Sequence, residues 1–128
     1  MWIGRINYLK RVIKIAQEKQ FENKVKGFLK EQGCWNLKTW SNGVQRSGVP
    51  DLLVCCNGCF IGVELKAANG KPSALQLWNL RKIEESGGYG ILLYPSDFEL
   101  FKGFINSLNA GFEKNTEHFY NEMKGDKF

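Results

Sequence analysis

A chain of 128 residues that is 43% hydrophobic and 13% aromatic has enough apolar material for one ordinary domain and little room for further modules. No apolar run approaches the roughly 20 residues needed to span a bilayer, and Met1-Trp2-Ile3-Gly4-Arg5 lacks the uninterrupted apolar core of a signal peptide, so a soluble cytoplasmic protein is expected. The net charge of +5 is unevenly spread: residues 1–50 carry ten Lys/Arg and three Glu, residues 51–128 eight Lys/Arg and ten acids, an asymmetry that suits a polyanionic partner.

Residues 3–18 read as a basic amphipathic helix with Ile6, Leu9, Ile13 and Ala16 on one side. After a break, Phe21, Val25, Phe28 and Leu29 make an apolar stripe at helical spacing, Glu22 adjoins it, and Gly33 ends the helix. Residues 35–41 alternate enough for a strand, and Asn42-Gly43 begins a polar loop that runs to Pro50, contains Arg46 and faces the centre described next. Residues 51–56 and 59–66 are apolar, β-favouring runs separated by Asn57-Gly58, a strong signal for a two-residue type I′ hairpin turn. Ala67 to Lys71 form a turn, and the helix opened by Ser73 runs to about Ser86. Gly87-Gly88 precede a buried strand, Tyr89 to Tyr94, stopped by Pro95. Ser96 and Glu99 read as a capping box for a helix that turns Phe98, Phe101, Ile105 and Leu108 inward. From Gly111, a tail with Phe112, Phe119, Tyr120 and Met123 among charges forms a short helix that packs on this subunit or on a partner. The order is an αβββαβ-like unit: residues 1–19 a basic helix, 20–108 the core, 109–128 a helical tail.

The hairpin carries the chemistry. If Cys56 faces Cys59 across the turn, Asp51 lies directly opposite Glu64, with Cβ atoms roughly 4.5–5.5 Å apart. Lys66 shares their face by the period-two rule, while Leu52, Val54, Cys56, Cys59, Ile61, Val63 and Leu65 make an apolar opposite face. Opposed carboxylates repel unless a cation lies between them. Magnesium is typically held by one or two carboxylates with water and phosphate oxygens, so the pattern points to a metal centre acting on phosphate; a surface ladder of charged residues is the simpler alternative. The segment Ser73-Ala74-Leu75-Gln76 is likewise a capping box on its own terms, with Gln76 reaching back to the cap.

Gly48-x-Pro50-Asp51, a short hairpin, Glu64-x-Lys66 and the following Ser73-x-x-Gln76 resemble the virus-type replication-repair nuclease (VRR-NUC) branch of the PD-(D/E)xK nucleases, over roughly residues 20–95. The resemblance implies an α/β fold, a restriction-endonuclease-like core with a mixed sheet flanked by helices. It also implies a Mg2+- or Mn2+-dependent endonuclease of DNA repair and recombination. Stand-alone viral and phage members are similar to homodimeric Holliday junction resolvases that act on branched DNA. By matched position, Asp51 and Glu64 would ligate the metal, helped by the backbone carbonyl of Leu65. Lys66 would orient the attacking water, Glu22 would supply the family's helix carboxylate, with Glu18 as fallback, and Gln76 would stand beside the metal. One amide is not expected to serve fully both as that group and as a cap. Lys24, Lys26, Lys38, Arg46 and Ser73 are candidate nucleic-acid contacts.

The four cysteines include Cys56-Asn57-Gly58-Cys59, yet zinc normally needs four ligands and the lone histidine, His118, lies far along the chain. Cys56 and Cys59 are expected to be reduced, small apolar residues of the hairpin.

Overall fold

The computed structural model describes residues 2–40 and 47–128. The elements run α1 (Trp2–Glu31), β1 (Trp35–Lys38), β2 (Leu52–Cys56), β3 (Cys59–Leu65), α2 (Ala74–Glu85), β4 (Tyr89–Leu93), a 3-10 turn (Pro95–Asp97), α3 (Phe98–Ala110) and α4 (Glu113–Lys124). The strands form one mixed sheet in chain order, antiparallel from β1 to β3 and parallel between β3 and β4. Helix α2 makes the crossover that a parallel pair requires.

The turn sets the register. Asn57 and Gly58 both adopt positive φ, 48° and 79°, as a type I′ turn requires, and Cys56 pairs with Cys59, Val54 with Ile61 and Leu52 with Val63. One face of the sheet (Leu52, Val54, Cys56, Ile61, Val63, Ile91 and Leu93) is buried against Val25, Phe28 and Leu29 of α1 and Phe101, Phe104 and Ile105 of α3. The tail belongs to this same core. Tyr120 and Met123 of α4 are buried in it, and the Tyr120 hydroxyl donates to Glu84 Oε2 at 2.5 Å.

Two glycines bring α2 onto the second face. A Cβ on Gly62 would lie 2.5 Å from Ile83 Cδ1, and one on Gly90 would lie 2.3 Å from the carbonyl oxygen of Leu80. Paired with one another across β3 and β4, they form a side-chain-free seam into which the helix sinks.

Four expectations need correction. Residues 3–18 and the helix of Glu22 are one uninterrupted α1, because Gln17-Glu18-Lys19-Gln20 is made of good helix formers and contains no breaker. Strand β1 stops at Lys38. The Ser96 and Glu99 capping box does not form: Pro95 opens a 3-10 turn, α3 has no side-chain cap, and Glu99 pairs with Lys102 while Asp97 pairs with Lys127 at 2.6 Å. Cys56 is not a reduced thiol, since it is bonded to Cys34 across a Cα separation of 4.8 Å. Burial of Cys34 at the end of α1 directly beneath β2 supplies that proximity. Among the described residues no helix is long and apolar enough to cross a membrane.

The glycine seam is testable. Gly90→Ala must push the backbone of α2 away from β4, at a cost of about 1–3 kcal/mol, and a thermal melt should show Tm lowered by roughly 5–15 °C. An unchanged Tm would mean that α2 does not rest on this seam.

Candidate active site

Asp51 immediately precedes β2, and because Leu52 faces Val63, the next position along places Asp51 opposite Glu64. The Asp51 carboxylate is fixed by the strand it faces: Oδ2 accepts the backbone N–H of Leu65 at 2.9 Å. Thr39 holds the same corner from the other side, its N–H donating to the Asp51 carbonyl at 2.9 Å and its hydroxyl to the Pro50 carbonyl at 2.8 Å. Gly48, with φ +79°, offers its carbonyl to Asn79 Nδ2 at 2.9 Å, which ties the approach to Asp51 onto α2.

Glu64 is only 2% exposed. Oε1 accepts from Gln76 Nε2 at 3.3 Å, and Oε2 is buried without a hydrogen-bond partner. Burial drives its pKa upward, and the adjacent Asp51 carboxylate adds to the rise. The ammonium groups of Lys66 and Lys38 pull in the opposite direction, and the net effect is a pKa of about 8. The nearby ammonium groups therefore offset only part of the cost of this buried carboxyl, whose second oxygen is left without a donor.

Gln76 corrects the expectation that one amide must choose between roles. Its carbonyl oxygen accepts the Ser73 N–H at 2.9 Å, and Ser73 Oγ accepts the Gln76 N–H at 3.1 Å, completing the capping box. Its amino group is left to donate to Glu64. The two ends of the amide do separate work.

Glu22 is buried on α1, where Lys38 Nζ lies 2.8 Å from Oε1, Lys19 Nζ 3.0 Å from Oε2 and Lys26 Nζ 3.6 Å from Oε2. Burial alone would raise its pKa, but the hydrogen bonds and charges of Lys38 and Lys19 outweigh it and hold the carboxyl at about 2. Lys38 also stands 3.7 Å from Asp51 Oδ1, and although burial opposes its charge, Glu22 and Asp51 keep it more firmly protonated than an ordinary lysine. It is therefore the cation of an acidic cluster. The sequence signalled Lys38 only as a basic residue, because its place depends on the pairing of β1 with β2, across a connection that no local pattern specifies.

The other candidates are less central. Lys24 lies over the Phe98 ring at 4.7 Å, two residues and so about 200° around the helix from Glu22. Ser73 is the exposed cap of α2, Glu18 is exposed on α1, and Arg46 lies outside the described residues, as does residues 42–46 of the loop expected to face the centre.

Among the described residues no three His, Cys, Asp or Glu side chains converge closely enough to hold a metal. Glu22 is turned toward lysines, which leaves Asp51 and Glu64 as the acidic pair. Two protein carboxylates suit a divalent ion that keeps water and phosphate oxygens as its remaining ligands. The unpartnered Glu64 oxygen is the observation that fits such an ion.

No family model matches the sequence, and no curated protein matches it. A solved structure described as a VRR_NUC domain does match, at 26% sequence identity and a TM-score of 0.53, over 80% of this chain and 97% of that one. The likeness to that domain supports the VRR-NUC nuclease family. Its four-stranded mixed sheet with flanking helices is consistent with a PD-(D/E)xK-like core, and the VRR-NUC match supports a nuclease.

The charge of Glu64 has a pH consequence in metal-free protein. Its folded pKa of about 8 lies above the ordinary value of 4.5, so between them the folded state binds more protons than the unfolded chain. This contribution to stability is complete below about pH 4.5 and is lost as pH rises through 8. Glu22, depressed to about 2, acts in the opposite sense, stabilising above about pH 4.5 and losing that effect as pH falls toward 2. In chelator, Tm measured from pH 5 to 9 should fall less steeply for Glu64→Gln than for the parent. Parallel slopes would exclude a raised Glu64 pKa.

Proposed function

We propose that this chain is a divalent-metal-dependent, structure-specific DNA endonuclease that hydrolyses phosphodiester bonds in branched DNA, with the four-way Holliday junction as its leading substrate. The observation that carries the reading is the opposition of Asp51 and Glu64 with one Glu64 oxygen buried and unpartnered. Asp51, Glu64 and the Leu65 carbonyl would hold Mg2+ or Mn2+, and Glu22 would join them on leaving its lysines. When bound, such an ion supplies Lewis-acid neutralisation of phosphate charge and acidifies water.

The protein groups have separate tasks in this scheme. Lys66, whose charge is felt at Glu64, would orient the attacking water and steady the phosphate as charge develops. Gln76 fixes the rotamer of Glu64 from the first turn of α2. Lys38 keeps Glu22 ionised and stands 3.7 Å from Asp51 Oδ1. Lys24, Lys26, Lys38, Arg46 and Ser73 are the proposed backbone contacts, a sequence-independent kind of binding that positions DNA without reading its bases.

Contacts to the phosphate backbone position DNA without reading its bases, which favours recognition by shape. Symmetric incision of a junction calls for two centres, which a two-fold homodimer provides. A cell's cytoplasm is the proposed setting.

The test is cleavage of labelled four-way junction, flap, nicked duplex and RNA with Mg2+, Mn2+ or chelator. Paired, chelator-sensitive nicks in the junction support the reading. Preference for flaps, nicks or RNA would reassign the substrate, and binding without cutting would make the chain a nucleic-acid-binding module. Asp51→Ala, Glu64→Ala and Lys66→Ala should each lower cleavage by about 10²-fold or more while binding persists; near-parental cutting by any one would remove its assignment.

Gln76 allows a finer separation. Gln76→Glu keeps an oxygen for the Ser73 N–H but sets a carboxylate against Glu64, so cleavage should fall at least tenfold with Tm almost unchanged. Gln76→Ala should lose cleavage and also about 0.5–2 kcal/mol of stability with the capping box. Equal cleavage by Gln76→Glu and the parent would reduce Gln76 to a cap.

A further inference from the structure

Each acid of the centre has one carboxylate oxygen committed to the protein and one left over. Glu22 Oε2 is taken by Lys19 at 3.0 Å and Lys26 at 3.6 Å, both on its own helix. Asp51 Oδ2 accepts the Leu65 N–H, and Glu64 Oε1 accepts from Gln76. The remaining oxygens are Glu22 Oε1, Asp51 Oδ1 and Glu64 Oε2. Glu64 Oε2 is buried with no partner. The other two share a single cation: Lys38 Nζ lies 2.8 Å from Glu22 Oε1 and 3.7 Å from Asp51 Oδ1. Among the described residues Lys19 and Lys26 pair with Glu22 alone, so Lys38 is the lysine that bridges two of the acids.

This ammonium can leave without disturbing the fold. The Lys38 backbone is fixed by the pairing of β1 with β2, opposite Leu52. Its side chain is 35% exposed, and a flexible four-carbon stem carries the charge elsewhere by bond rotation. Departure would not strip the acids, since Lys19 and Lys26 stay beside Glu22 and the Leu65 N–H stays on Asp51. It would free the two oxygens that no other protein group among the described residues holds.

We infer that Lys38 is a built-in competitor of the divalent ion: its ammonium occupies the Glu22 and Asp51 oxygens in the unloaded protein and must swing away before a metal can share them. The inference rests on the proposed metal dependence and names the residue that sets its threshold. Electrostatics fix the sign. A positive charge beside two candidate ligands repels a divalent ion, and its removal leaves neighbouring carboxylates whose repulsion such an ion relieves. A lysine that only held the acids in place would act the other way, because its loss would release the ligands and weaken binding.

Calorimetric titration of Mn2+ into chelator-stripped, DNA-free protein tests this without reference to cleavage. Lys38→Met keeps most of the stem and removes the charge, and should tighten Mn2+ binding by about tenfold or more. Lys38→Gln, which keeps a donor for Glu22 without the charge, should also bind more tightly, whereas Lys38→Arg should bind no more tightly than the parent. Lys26→Met removes a charge that reaches Glu22 alone and should change affinity by no more than about threefold. Thermal melts should cross over: Lys38→Met should melt below the parent in chelator, where Glu22 and Asp51 lose their shared partner, and should gain more in Tm on adding Mn2+. Parental or weaker Mn2+ binding by Lys38→Met overturns the inference. So does an equal gain from Lys26→Met, which would trace the effect to overall charge. Failure of the metal reading looks different, since neither the parent nor Lys38→Met would then bind Mn2+, and the inference would fall with it.

Discussion

A two-residue turn holds this site together. Asn57 and Gly58 accept the positive φ that a type I′ turn demands, and because a hairpin alternates faces every residue, that local choice decides that Asp51 and Glu64 oppose each other at its far end. A slip of one position would turn Glu64 into the apolar core and Val63 toward α2. The turn is anchored by more than its own chain, since Asn57 Nδ2 donates to the Leu108 carbonyl at the end of α3 at 2.9 Å. The register that creates the carboxylate pair is therefore held at the end of the hairpin remote from it.

Opposed carboxylates buried in a protein destabilise it unless positive charge is near, and the chain supplies that charge unevenly. Glu22 has three lysines and is strongly ionised, Asp51 has Lys38 and the Leu65 N–H, and Glu64 has a neutral amide and one oxygen with no partner. The imbalance is what leaves Glu64 with the raised pKa of the three. It follows from the sheet, where Glu64 is covered by α2 and enclosed between β2 and β4, while Asp51 sits just outside the ladder and stays partly open. The close seat of α2 over Gly62 and Gly90 brings Gln76 within reach of Glu64, so a packing feature and a hydrogen bond of the site have one origin.

Much of this was readable in the sequence because it depends on short-range rules. The Asn57-Gly58 turn specified the hairpin and with it the opposition of Asp51 and Glu64, and the serine and glutamine spacing specified the cap of α2. Helical periodicity likewise identified the buried faces of α1 and α3. What escaped was set by distant neighbours. The sequence marks Lys38 as a candidate nucleic-acid contact and not as a partner of the acids, because only the β1 to β2 pairing brings it to Glu22 and Asp51. Cys34 and Cys56 are 22 residues apart and meet because α1 ends beneath β2. The Ser96 cap failed because Pro95 started a tighter turn and Lys127, 30 residues away, took Asp97. The continuity of α1 is a local matter, since nothing between Glu18 and Phe21 interrupts a helix.

Helix α1 links the site to the surface beyond it. Its second half is clamped by Val25, Phe28 and Leu29 and carries Glu22 into the acidic cluster; its first half projects about 27 Å further at 1.5 Å per residue, with no contact to the sheet that anchors it. Lys19 stands where the two halves meet, exposed like the first half yet bonded to Glu22. A helix without a break transmits position rigidly, so whatever seats residues 2–20 also constrains the direction in which Glu22 is presented.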